Sequence, residues 1–291
     1  MPYVSRVSDR TIMRISTPCL GIAAALLLTT AVQAHETWVQ PVGASAVGQP
    51  TTLTLTSGAK FPDLETGPKA ERVAKLTGDI DGAVQPVGVG AEAPEALSLT
   101  LTPDRAGLAV VAVALAPRDI DLTAAEVPEY FAEADPPIAV RQAWNRIAAA
   151  GGTWRETYIK NAKALVCVAD CKGGRGGIVP AGQTLEFIAL ETGPAPRRFR
   201  LLAKSQPLAD QPVRLALPGA PEQKLATNGL GEIVLPSEVK GPLMLSTVWL
   251  RAPDKADGRF LSDFASLVLG VPTPAPKVLQ PTPDDSSGPG R

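Results

Sequence analysis

Thr51-Thr52-Leu53-Thr54-Leu55-Thr56 sets threonine against leucine residue by residue, which places Leu53 and Leu55 on one face of an extended strand and the threonines on the other. A helix cannot use a period of two. Leu97-Ser98-Leu99-Thr100-Leu101 repeats the pattern, and Gly107 to Leu115 is a continuous apolar run suited to a central strand. Clusters of Gly, Pro and Asp between these stretches cut the chain into short pieces, and short strands at that spacing predict a β-sandwich. Lys163 to Ala169 and Thr184 to Leu190 read as further strands, and Gly193-Pro194-Ala195-Pro196 reads as a hinge. A second series follows at Phe199 to Lys204, Pro212 to Leu217, Glu232 to Leu235, Leu243 to Leu250 and Ser266 to Val271, with a tight turn at Asn228-Gly229-Leu230-Gly231.

The segment from Pro128 to Ala150 departs from this pattern. Asp135 is expected to cap a helix whose first turn takes Pro136 and Pro137, where a missing amide donor costs little. Val140, Ala143, Trp144 and Ile147 then share one face, read as core against the sandwich, and Gly151-Gly152 ends the helix. Thr153 and Glu156 have capping-box spacing, so this stretch starts either another helix or the strand that follows. The expectation is a mainly β protein of two β-sandwich domains, 35–196 with a helical insertion at about 126–152, and 197–271. The last stretch, 272–291, is rich in Pro, Ser and Gly and is expected to be a disordered tail.

The chain opens with Arg6, Arg10 and Arg14 ahead of an apolar run from Leu20 to Val32. That run has the length of a signal-peptide core and falls short of the roughly 20 residues that span a bilayer. Val32 and Ala34 fit the two subsites a signal peptidase reads, so residues 1–34 are expected to be cut off, leaving His35 first and the product in the periplasm. Met13-Arg14 followed by the same run would serve as an alternative start. Removing three arginines and Asp9 with the signal leaves 25 basic and 28 acidic residues, without the basic clustering that nucleic acid needs. Nothing after the signal is apolar over 18 residues, so no membrane insertion is expected of the mature chain.

Cys19 leaves with the signal. Cys167 and Cys171 remain, and in an oxidising compartment they are expected to form a disulfide, worth only about 2 kcal/mol across so short a loop. A metal-binding thiol pair is the lesser reading, since C-x3-C lacks the second pair of a structural zinc site. Lys172 to Gly177 is glycine-rich but lacks the Lys-Ser or Lys-Thr ending of a phosphate loop, and reads as a hairpin loop.

His35 is the only histidine. As a first residue it would carry an α-amine and an imidazole with reference pKa values of about 6.5 to 8, able to close one chelate ring on copper, nickel, cobalt or zinc. Asp63 and Glu65, on a Phe-Pro loop, come near it if the first strand pairs beside that loop, and with Glu36 they are the oxygen donors to consider. The alternative for Glu65 is a surface ion pair with Arg72. Glu186, between Leu185 and Phe187, reads as the outward residue of an alternating strand. A lone histidine leaves no Ser-His-Asp or Cys-His arrangement, so the chain is not expected to be an enzyme.

Taken in order, several motifs resemble the exported proteins of domain of unknown function 4198, described as periplasmic components of nickel or cobalt uptake. They are Ala34-His35-Glu36-Thr37-Trp38, Gly58 to Glu65 followed by Arg72, Tyr158 to Val166, Gly182 to Phe187, Pro207-Leu208, Thr227 to Gly231 and Trp249. The resemblance covers almost the whole mature chain. It implies two Ig-like or transthyretin-like sandwiches, the second similar to carboxypeptidase-regulatory modules, and a transition-metal role beside a membrane transporter. The competing expectation is a carbohydrate- or protein-binding module of the cell envelope, which would show Trp38, Trp144, Trp154 and Trp249 as an exposed platform.

Overall fold

The computed structural model describes residues 35–171, 175–255 and 258–271. The expected signal segment, the 272–291 tail and part of the glycine-rich loop lie outside them. The described chain is mainly β. In order it forms β1 (Glu36–Pro41), β2 (Thr51–Gly58), β3 (Val73–Ile80), β4 (Ala83–Gln85), β5 (Val87–Glu92), β6 (Leu97–Leu101), β7 (Gly107–Leu115) and β8 (Arg118–Leu122). Two helices follow, α1 (Val127–Ala134) and α2 (Ile138–Ala149), then β9 (Trp154–Val168), β10 (Leu185–Ala189), β11 (Arg198–Ala203) and β12 (Gln206–Pro207). The chain continues through β13 (Pro212–Ala216), β14 (Gln223–Ala226), β15 (Glu232–Val234), β16 (Leu243–Arg251) and β17 (Phe260–Leu269).

Among the described residues these strands make three sheets. The central one has nine strands in the order β14-β13-β16-β17-β9-β7-β3-β4, with β8 also on β9. It is antiparallel except where β17 runs parallel to β9, Phe260 opposite Glu156 and Leu269 opposite Leu165. One outer sheet has the order β1-β2-β6-β5, and the other joins β10, β11, β12 and β15.

The outer sheets cover opposite faces of the central one. Ala109, Val111 and Val113 of β7 share a core with Leu53, Leu55, Leu97 and Leu99, whereas Leu108 and Val110 pack with Phe187, Phe199 and Leu201. That is why β7 reads as unbroken apolar sequence: a strand covered on both faces has no side for polar residues. Each large side chain so buried contributes about 1.5–3 kcal/mol. The expected boundary at 196/197 falls in the turn between β10 and β11, which pair with each other, and strands from either side of it share the central sheet.

The helices cover the part of the central sheet that the β1 sheet leaves open. Trp154 stacks on Phe260 at 3.7 Å and receives the edges of Tyr130, Phe131 and Trp144 at 5.3–5.9 Å. Val140, Ala143 and Trp144 are buried on the expected face of α2, with Ile147 packed against the same core. Asp135 plays a different part from the one expected. It ends α1 in the left-handed conformation, φ 42°, and Pro137 precedes α2 without a side-chain cap. Nor does a helix start at Thr153, since β9 begins at Trp154 and draws Glu156 into the core, where Tyr130 Oη, Trp154 Nε1 and the Ser262 hydroxyl all donate to its carboxylate.

Glu186 is likewise buried rather than outward, 1 % exposed. Lys163 Nζ donates to it at 2.5 Å and to Phe187 O at 2.9 Å, while the amides of Ala181, Gly182 and Gln183 also donate to the Glu186 carboxylate. Cys167, near the end of β9, is disulfide-bonded to Cys171 just past it. No helix among the described residues is long and apolar enough to cross a membrane.

Candidate functional site

β1 is the edge strand of its sheet, so alternate carbonyls point away from β2 and need partners. The central sheet supplies them from side chains: Lys160 Nζ donates to His35 O at 2.7 Å, and Ser266 Oγ to Thr37 O at 2.6 Å. His35 is thereby held, half-buried, at the start of β1. Trp38 anchors the strand further along, packed on Phe61, Ala216, Met244 and Val268.

Next to His35 the Glu36 carboxyl is buried, 6 % exposed. Its Oε1 lies 3.2 Å from Arg214 Nη1, whereas Oε2 has no hydrogen-bond partner. Burial pushes the carboxyl above its usual pKa, and it outweighs the lowering by Arg214, Lys160 and the nearby Ser246 hydroxyl; Glu222 pushes the same way as burial. Ser246 Oγ stands close enough to act on that charge but reaches no hydrogen-bonding geometry of its own. Arg214 Nη2 donates to Glu133 O at 2.6 Å in the last turn of α1, where a helix favours positive charge. A cavity of about 260 Å³ opens here, lined by Arg214, Glu133, Glu222, Lys224, Ser246 and Thr247 among others.

On the other side of His35, Lys160 Nζ lies 5.8 Å from the Tyr158 ring and 5.7 Å from that of Phe264. Burial brings its pKa down to about 8; Glu36 works against this, while Arg72 and Arg118 add to it.

The four residues singled out as metal donors are brought only partly together. His35 immediately precedes β1 and Glu36 starts it, and Gly58, the cross-strand partner of Glu36, lies against Glu65: a Cβ on Gly58 would meet Glu65 Cδ at 2.8 Å. Glu65 is nonetheless committed to its loop, where its Oε1 accepts from the amides of Ala59 at 2.8 Å and Lys60 at 3.3 Å. The pair with Arg72 is replaced too, because Arg72 Nη2 donates to Ala116 O at 2.8 Å. Asp63 sits half-buried in the same loop, its amide bonded to Lys60 O. Among the described residues no three His, Cys, Asp or Glu are grouped to hold a metal ion. Among those residues a cage built wholly from side chains therefore does not fit.

Lys160, Arg214 and Ser246 escaped the sequence reading, although the signal was there. A strand buried on both faces that still carries Glu156, Lys160 and Lys163 has to pair each of them. Of the tryptophans, Trp38, Trp144 and Trp154 are buried, and Trp249 is stacked by the Arg251 guanidinium at 3.8 Å, so the four do not make one platform. No protein-family model matches this chain, and no curated protein matches it.

Proposed function

We propose that the protein is a non-enzymatic binding protein of the periplasm that takes a transition metal ion, of the nickel or cobalt class, on the amine and imidazole nitrogens of His35 once the chain is cut after Ala34. It would act beside a membrane uptake transporter, as the motif order suggests. The observation that supports this reading is the bond from Lys160 to His35 O. It fixes the only histidine of the chain against the central sheet, beside a buried charge cluster and a cavity, where a terminal residue would otherwise fray. A chelate formed there loses less freedom on binding than one on a loose end.

The test is calorimetric titration of the exported protein, its first residue established by mass, with nickel, cobalt, copper and zinc. Binding of one ion that is lost in His35→Ala, and lost when a single residue is added before His35, supports the chelate. Binding unchanged by the added residue moves the site elsewhere.

A further inference from the structure

We infer that Arg72, Arg118 and Lys160 form a binding site for a small oxyanion, carboxylate or phosphate, on the face of the central sheet between β1 and the helices. The register brings the three together. Arg118 is the cross-strand partner of Tyr158, so the two share a face, and Lys160 follows Tyr158 on the same face two residues on. Arg72 is tied to the same place by both of its bonds to Ala116, from Ala116 N to Arg72 O at 2.7 Å and from Arg72 Nη2 to Ala116 O.

The nearby carboxylates offset this group only in part, since Glu36 attracts Arg214 as well as Lys160. Asp119 and Asp121 alternate with Arg118 on β8 and so face the other way, where both pair with Arg259. Three cations thus converge, each lowering the cost of bringing a negative charge to the next. Arg72 Nε is buried and has no hydrogen-bond partner, which leaves a donor unused beside an exposed Arg118 and a half-buried Lys160. Guanidinium forks and an ammonium around one point suit an oxygen-rich anion. The anion would be held by these three side chains and the metal by the nitrogen pair of His35, so the two ligands use different groups although Lys160 also bonds His35 O.

The experiment titrates metal-free protein with citrate and, separately, with inorganic phosphate, the ionic strength being held constant with sodium chloride. Saturable one-to-one binding is expected, with citrate if the site reads carboxylates and with phosphate if it reads phosphates. Lys160→Met and Arg118→Ala should each weaken it at least tenfold. Arg118 is exposed, so its variant keeps the inference testable if loss of Lys160 disturbs β1. Absence of saturable binding to either anion, or Arg118→Ala protein binding as tightly as the parent, overturns it. The chain extended before His35 separates the two ideas, since it should lose nickel and keep the anion.

Discussion

Two buried charge clusters lie on opposite faces of the central sheet and are finished differently. Under the β10 sheet, Glu186 takes a lysine and three backbone amides, and Lys163 also donates a hydrogen bond to Phe187 O. Every group there has a partner inside the fold. Under β1, the Glu36 Oε2 and Ser246 Oγ atoms have none, Arg214 is shared between a side chain and a helix end, and a cavity adjoins them. A completed network holds structure, whereas unused hydrogen-bonding capacity beside a cavity is where a ligand can add contacts.

The contrast predicts a ranking of mutational costs. Lys163→Met leaves Glu186 buried without its cation and should destabilise the fold by about 3–5 kcal/mol in denaturant unfolding. Replacing Cys167 and Cys171 by serine opens a short loop beside the core that holds Cys171, and should cost about 2 kcal/mol by the same measurement. Glu36→Gln keeps the shape and gives up one charged contact of an already incomplete cluster, at roughly 1–2 kcal/mol. A cost for Glu36→Gln equal to that of Lys163→Met would erase the distinction between the two faces.

Glu156 sharpens it further. Burial holds its carboxyl above the usual pKa against the donors that surround it. Its folded form therefore favours the proton, so the stability it contributes is fullest below the unfolded value of about 4.3 and is lost as pH rises through the folded pKa. Compared with Glu156→Gln, the parent protein should lose stability as pH rises above about 4, with a slope of at most about 1.4 kcal/mol per pH unit. A difference between the two that does not change with pH would show that this carboxyl is not perturbed.

Much of this architecture was legible in the sequence because side-chain period reports burial. β2 and β6 alternate and are covered on one face by the core; β7 is apolar throughout and is covered on both. The parallel pairing of β9 with β17 was not legible, since a period of two says which residues point inward but not which strand lies alongside. Glu186 was misread for a related reason. Alternation suggests an outward residue only where the second face meets water, and here Lys163 and the 181–183 amides meet it instead. His35 stood out by being unique, while Lys160, which holds it in place, belongs to a residue type that usually marks a surface.

Nickel added to isotopically labelled mature protein gives the most direct test, because a paramagnetic ion broadens the amide resonances nearest to it. The account predicts selective broadening at Glu36 and Thr37 and at Tyr158 to Lys160, with the amides of Lys163 and Glu186 on the other face still sharp at one equivalent. Broadening centred on any other part of the chain, or none at one equivalent, would contradict it.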